Sequence, residues 1–239
     1  MTAVRTALLV ANSTDSDAGY VGERLSQRGY ALRTVLRETG EVPVDVAAAG
    51  DVDVVVCLGS EWSVHTPVDA SALRAECALV RSASAAQIPV LGICYGAQVV
   101  AAAFGGAVTR AATPEIGWIE VTSLDADLVP TGPWLAFHLD VVHLPPQARL
   151  VADNDCGAQA FVLPGVLAVQ FHPEVRPAVL DDWAERFPGL LSEVGVDRSE
   201  LLAQGWARES ESRRAAHALV DGFLDQVAPQ LRSSESSSP

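Results

Sequence analysis

The sequence predicts an α/β fold, an open, mostly parallel sheet flanked by helices, with a helical C-terminal extension. Three observations carry that prediction. Over the first two thirds of the chain, short apolar runs alternate with amphipathic stretches, the pattern of strands joined by crossover helices. Two of the runs, 51–60 (DVDVVVCLGS) and 88–94 (IPVLGIC), carry unbroken apolar stretches, as strands covered on both faces do. After residue 115 shorter strand-and-turn segments take over, and from about 178 to 228 the pattern turns helical and more charged.

The first strand is expected at 6–12 (TALLVAN), ahead of a polar loop, STDSDAG, that lacks the glycine pattern of a phosphate cradle. Residues 20–30 have helical spacing and stop at Gly29, and ALRTVLRE reads as a second strand. A helix is expected over 68–87, between the two buried strands. The second of those leads into GAQVVAAAFGG, a buried helix closed by paired glycines, residues suited to the left-handed turn that ends a helix. Further strands are expected in GWIEVTSL, WLAFHLD, ARLVAD, QAFVLPG and VLAVQFHPE, with Pro164-Gly165 turning the last two into a hairpin. Residues 1–177 read as one domain, 178–228 as a helical extension packed on it, and 229–239 as a polar, disordered tail.

Composition excludes several classes of function. With 239 residues, 49% of them hydrophobic, the chain can bury a substantial core. A net charge of -14 disfavours nucleic acid as a partner, because affinity for phosphate backbones comes from clustered Lys and Arg. All 16 basic residues are arginine, which reads as codon bias and carries no functional weight. Cys57, Cys77, Cys94 and Cys156 form no CxxC pair and no zinc-spaced Cys/His cluster, so neither metal nor cofactor is expected. No apolar run approaches the ~18 residues a membrane span needs. The default expectation is a cytoplasmic protein with reduced thiols and no membrane partner. Cys57 and Cys77 read as small core residues, Cys156 as a turn cysteine, and Trp183 and Trp206 as helix-packing residues.

Two short stretches carry chemistry. In VLGICYGAQ, Cys94 lies between Gly92 and Gly96, after an apolar strand and before a helix. A sharp strand-nucleophile-helix turn holds its nucleophile in a strained conformation and needs small residues on either side. The helix that follows aims free N–H groups at the sulfur and favours the thiolate. In VLAVQFHPE, His172 and Glu174 end an apolar strand two residues apart, so both side chains are expected on one face. Pro173 keeps His172 out of the helical region, and the carboxylate can orient the ring as the acid of a triad does.

These two motifs together resemble the class I, triad-type glutamine amidotransferases. GICYGAQ is similar to that family's G-x-C-x-G-x-Q elbow and QFHPE to its histidine-glutamate motif. GSEWSV (59–64) resembles the glycine-rich turn after the third strand, and EIGW (115–118) and FHLDVVHLPP (137–146) resemble segments of the GMP-synthase-like branch. The resemblance spans about residues 6–176, and the order nucleophile, histidine, acid disfavours an α/β-hydrolase. It implies that Cys94 attacks the side-chain carboxamide of glutamine, that His172 moves the proton and that Glu174 holds His172. Backbone N–H groups of Tyr95 and of the Gly59–Ser60 turn would bind the oxyanion, and Gln98, His138 and Asp140 would contact the substrate. Ser60 stands where the family often has a second glycine, and Leu139 where glycine is common in the H-x-D segment.

Three functions fit the resemblance. The first is an ammonia-donating subunit serving a separate synthase, since about sixty residues remain after 176 and no ATP-grasp, P-loop or TIM-barrel signature is present. The second is a partner-independent hydrolase of γ-glutamyl peptides or amides, which the same thioester chemistry serves. The third is a non-catalytic interaction protein of the same fold, against which the intact Cys94, His172 and Glu174 argue.

Overall fold

The structure, a computed structural model, describes residues 4–229. Of the tail expected at 229–239, everything from residue 230 onward lies outside the described residues.

Eight strands form the main sheet. Strands β1 (Arg5–Ala11), β2 (Tyr30–Leu36), β3 (Val54–Cys57) and β4 (Val90–Ile93) alternate with helices α1 (Gly19–Gln27), α2 (Ala70–Ala85) and α3 (Tyr95–Ala103). The later strands are β5 (Ala107–Ile119), β6 (Thr122–Ser123), β7 (Trp134–His143), β8 (Arg149–Asn154), β9 (Gly157–Leu163) and β10 (Val166–Val169). The strand order is β2-β1-β3-β4-β10-β9-β8-β6. The first five run parallel, and β9, β8 and β6 extend the sheet antiparallel. The parallel strands are apolar throughout because both faces are covered. Ala7, Leu9 and Ala11 of β1 enter one core with Val56 and Ile93, while Leu8 and Val10 enter another with Val55, Cys57, Leu79 and Val100.

Three helices complete the chain, α4 (Pro177–Arg186), α5 (Pro188–Glu193) and α6 (Arg198–Gly222). The end of α6 and the turn after it insert Leu219, Val220, Phe223 and Val227 into the core shared by β1, β3 and β4. Arg24 of α1 and Arg28, which caps its C-terminus, clasp Asp221 of α6 at 2.6 and 2.5 Å.

The elements expected from the sequence are present, with two differences. Strand β5 begins at Ala107, ten residues before the strand expected from Gly117, and pairs with β7 in a separate two-stranded ribbon. Much of its first half is exposed and its register shifts between Arg110 and Glu115, across Pro114, so that stretch has no apolar period to read. Strand β10 ends at Val169, so His172 and Glu174 lie beyond it in irregular backbone and not at the end of a strand.

Because β1 to β4 and β10 all point the same way, their C-terminal ends line one edge of the sheet, where ligands bind in open α/β folds. Asn12, Arg37, Gly59, Cys94 and His172 follow those five strands.

Candidate active site

Cys94 adopts φ 50° and ψ −105°, and among the described residues only Gln87 is another non-glycine with positive φ. Such a conformation costs about 1–3 kcal/mol and persists only where the surroundings impose it. The neighbours do impose it. The Cys94 N–H donates to Val169 O of β10 at 2.8 Å. A Cβ on Gly96 would lie 2.0 Å from Cys57 O, and one on Gly92 would lie 2.7 Å from Gly96 O, so both flanking glycines are required by space. Helix α3 starts at Tyr95, so Cys94 occupies the N-cap, at the end where the helix's first N–H groups have no partner within it.

His172 comes from a loop fixed by distant parts of the chain. Its N–H donates to Leu135 O at 2.8 Å, and its ring packs edge-on against Trp183 with centroids 4.8 Å apart. Trp183 is itself anchored by Nε1 donating to Asp15 Oδ1 at 2.8 Å. His172 Nδ1 lies 2.8 Å from Glu174 Oε1, so the side-by-side arrangement forms without a strand to impose it. Burial opposes charge on the imidazole, but Cys94 and the Glu174 carboxylate outweigh it and hold the ring's pKa well above its ordinary value.

The loop carrying Glu174 depends on a residue that motif reading missed. The Tyr20 N–H donates to Glu174 O at 3.0 Å, and a Cβ on Gly19, whose φ is +46°, would sit 1.8 Å from that oxygen. One glycine in a polar loop gave no sign of this.

Gly59 lies directly against the thiol and the imidazole. A Cβ there would be 2.8 Å from His172 Cε1 and 3.7 Å from Cys94 Cβ. Neither Gly59 nor Ser60 has a positive φ, so serine fits at 60 without strain, and glycine is needed at 59 for space alone. Behind this turn sits Arg37, fully buried and also missed, since a lone arginine ending an amphipathic strand has no motif. All five of its N–H donors are used. Nε and Nη2 reach the two Glu76 oxygens at 2.8 and 2.9 Å, Nη1 reaches Asn12 Oδ1 at 2.8 Å and Gly59 O at 3.3 Å, and Nη2 reaches Leu58 O at 2.8 Å.

The remaining sequence-selected residues meet in the same cleft of about 320 Å³, which Cys94, Gln98, His138, Asp140 and His172 all line. The Gln98 N–H donates to Cys94 O at 3.1 Å, and its side-chain Oε1 is buried with no hydrogen-bond partner among the described residues. His138 Nδ1 lies 3.1 Å from Asp140 O and its Nε2 lies 3.2 Å from Glu115 Oε2. Burial pushes the Glu115 carboxyl up, but His138, Asn154 and Gln159 outweigh it and keep it below its ordinary value. Asp140 Oδ2 accepts from Ser63 Oγ at 2.6 Å, and Arg110 stands 3.6 Å from its other oxygen.

One tryptophan expectation needs correction. Trp183 packs as expected with Leu180, Leu191 and Leu201 of the C-terminal helices and also borders the cleft against His172, whereas Trp206 is 58% exposed, because α6 turns that face to solvent. Among the described residues no helix is long and apolar enough to cross a membrane.

Comparison with known proteins shows the family. Residues 65–184 match the family model of glutamine amidotransferase class-I. The chain is 40% identical over 165 residues to a glutamine-hydrolyzing GMP synthase of Aeropyrum pernix, an alignment covering 60% of this chain and 30% of that protein. It is 34% identical over 148 residues to a subunit of the glutamine-hydrolyzing GMP synthase of Sulfurisphaera tokodaii, covering 58% of this chain and 74% of that one. The chain thus spans under a third of the full-length synthase and about three quarters of the separate subunit. In fold it is similar to a glutamine amidotransferase of Thermotoga maritima, with a TM-score of 0.82 and 22% identity over 94% of this chain and 100% of that one. A glutamine amido transferase of Methylobacillus flagellatus gives a TM-score of 0.80 at 20% identity, over 95% of this chain and 96% of that one. The chain belongs to the class-I glutamine amidotransferase family.

Proposed function

We propose that this chain is a Cys-His-Glu enzyme that hydrolyses the γ-carboxamide of glutamine through a thioester on Cys94 and releases ammonia. One observation carries the reading: a strained cysteine at a helix N-terminus shares a cleft with an imidazole held 2.8 Å from a buried carboxylate. The Cys94 sulfur attacks the carboxamide carbon and forms the C–S bond, while the carbonyl electron pair moves onto oxygen. N–H groups of Tyr95 and of the Gly59–Ser60 turn receive that oxyanion, each such donor being worth roughly 2.7–4 kcal/mol. As the intermediate collapses the C–N bond breaks, and the His172 imidazolium gives its proton to the departing nitrogen. Water then attacks the thioester, His172 takes its proton, and glutamate leaves with the thiolate restored. Glu174 keeps the imidazole in one orientation and stabilises its cation. Gln98, His138 and Asp140 hold the amino-acid end of the substrate, and the chemistry needs no cofactor.

A second reading has an observation of its own. The cleft continues past the imidazole along Phe137, Trp183, Phe187 and Leu190, which leaves room for a substituent on the departing nitrogen. γ-Glutamyl peptides or amides would then be substrates alongside glutamine. Relatives named as one subunit of a synthase support a separate synthase as the acceptor of the ammonia. We read residues 1–177 and the helical extension 178–228 as one unit, since the end of α6 completes the core beneath the site.

The test is ammonia release from L-glutamine by the purified chain. Cys94→Ala should lower it by roughly 10⁴–10⁶-fold. Equal release by the variant would sink the thioester mechanism.

A further inference from the structure

We infer that the oxyanion hole is preformed in this chain, with Arg37 as its positioning residue, so that glutamine turnover requires no synthase partner. The inference rests on the proposed thioester chemistry and adds how the site is regulated. In a trans peptide the C=O and the following N–H point in opposite directions, and no cis peptide occurs among the described residues. Arg37 holds Leu58 O at 2.8 Å and Gly59 O at 3.3 Å. The N–H groups of Gly59 and Ser60, which share those peptides, are therefore turned away from the guanidinium. Among the described residues neither N–H has a hydrogen-bond partner, and Ser60 lines the cleft with Cys94. Flipping the Gly59–Ser60 peptide would take its carbonyl off a buried cation and aim it at the thiol, so the donor-inward state is the one the surroundings hold.

The same guanidinium reaches the other arm of the hole. Its carbon lies 4.8 Å from the centroid of the Tyr95 ring, and Tyr95 supplies the first free N–H of α3. One buried cation thus braces the turn after β3 and the start of the helix after β4. Glu76 in turn fixes Arg37, meeting Nε and Nη2 with its two oxygens, and neither side chain of the pair is exposed. A lysine could not reproduce this, because it has three donors radiating from a point where arginine has five in a plane.

The experiment compares wild type with Arg37→Lys and with the double variant Arg37→Met/Glu76→Leu. The double variant replaces the buried pair by apolar groups, a change folds often tolerate. Wild type should release ammonia from glutamine with no other protein present. Both variants should lose kcat by about 10²–10³-fold, the effect of losing one oxyanion donor, with KM changed less than threefold. Alkylation of Cys94 by iodoacetamide needs the thiolate but no oxyanion hole, so its rate should stay within twofold of wild type. Unchanged kcat would overturn the role of Arg37, and so would alkylation falling in step with kcat, which marks a general loss of structure. A wild type silent on glutamine alone, yet covalently labelled at Cys94 by a diazoketone analogue of glutamine, would overturn the preformed hole and spare the thioester reading. A Cys94 inert to both reagents would overturn both.

Discussion

Cys94 and His172 follow neighbouring parallel strands and share one cleft, yet they are held in place by different means. Around Cys94 the restraint is steric and comes from the two strands that flank β4. Gly92 and Gly96 leave no room for a side chain, and a hydrogen bond to β10 pins the strand end. Around His172 and Glu174 the restraint comes from across the chain, from Gly19 and Tyr20 at one end, Leu135 in the ribbon and Trp183 in α4. The nucleophile is built into a turn, whereas the base and acid are assembled from parts. The elbow should therefore fail by local overpacking, and the His172 loop by displacement that leaves the rest of the fold intact.

The largest effect expected from this contrast is at two glycines. Gly96→Ala forces a Cβ onto a strand carbonyl in the core and should cost at least the 1–3 kcal/mol of overpacking, read as a lower Tm together with lost activity. Gly19→Ala should shift the Glu174 loop and lower kcat by about 10²-fold or more while α3 and the sheet keep their stability. Equal losses of Tm and of activity in both variants would erase the distinction between the two regions.

A smaller effect sharpens it. Glu174→Gln keeps the shape of the loop but removes the charge that supports the imidazolium, so kcat should fall by about 10²–10⁴-fold with Tm little changed. The same change alters the pH dependence of stability. The folded pKa of His172 is raised above its unfolded value near 6.5, so the imidazolium's contribution is fully present below that value and is lost as pH rises through the raised one. In Glu174→Gln that fall should move to lower pH, and denaturant titrations across the range would detect it. A curve identical to wild type would mean that the carboxylate does not support the charge.

The smallest effect is expected far from both regions. Asp221→Asn weakens the Arg24–Arg28 clasp between α1 and α6, whose groups are about a third exposed, and should cost no more than about 0.2–1 kcal/mol. Activity should not change. A loss of kcat there would show that the seating of α6 reaches the site.

Much of the fold was legible because its strands have no polar face. The runs at 54–57 and 90–93 are buried on both sides, and such runs read directly as central strands. The first half of β5 was not legible, since the exposed, proline-interrupted ribbon has no core face to set a period. The motif residues Cys94, His172 and Glu174 stood out because their chemistry depends on neighbours one or two positions away. Cys94 and His172 line one cleft with Gln98, His138 and Asp140, and Glu174 meets His172 Nδ1 at 2.8 Å. Arg37, Glu76 and Gly19 did not stand out, because their partners lie 21 to 155 residues distant.

The sequence by itself determined the elbow and the parallel half of the sheet. Those features follow from steric limits and side-chain periods that act over a few residues. Only the tertiary structure decided which way the Gly59–Ser60 peptide faces, where the Glu174 loop rests, and that Trp183 borders the cleft. Each of those depends on a contact between segments far apart in the chain, and such contacts exist only once the core has brought the strand ends to one edge.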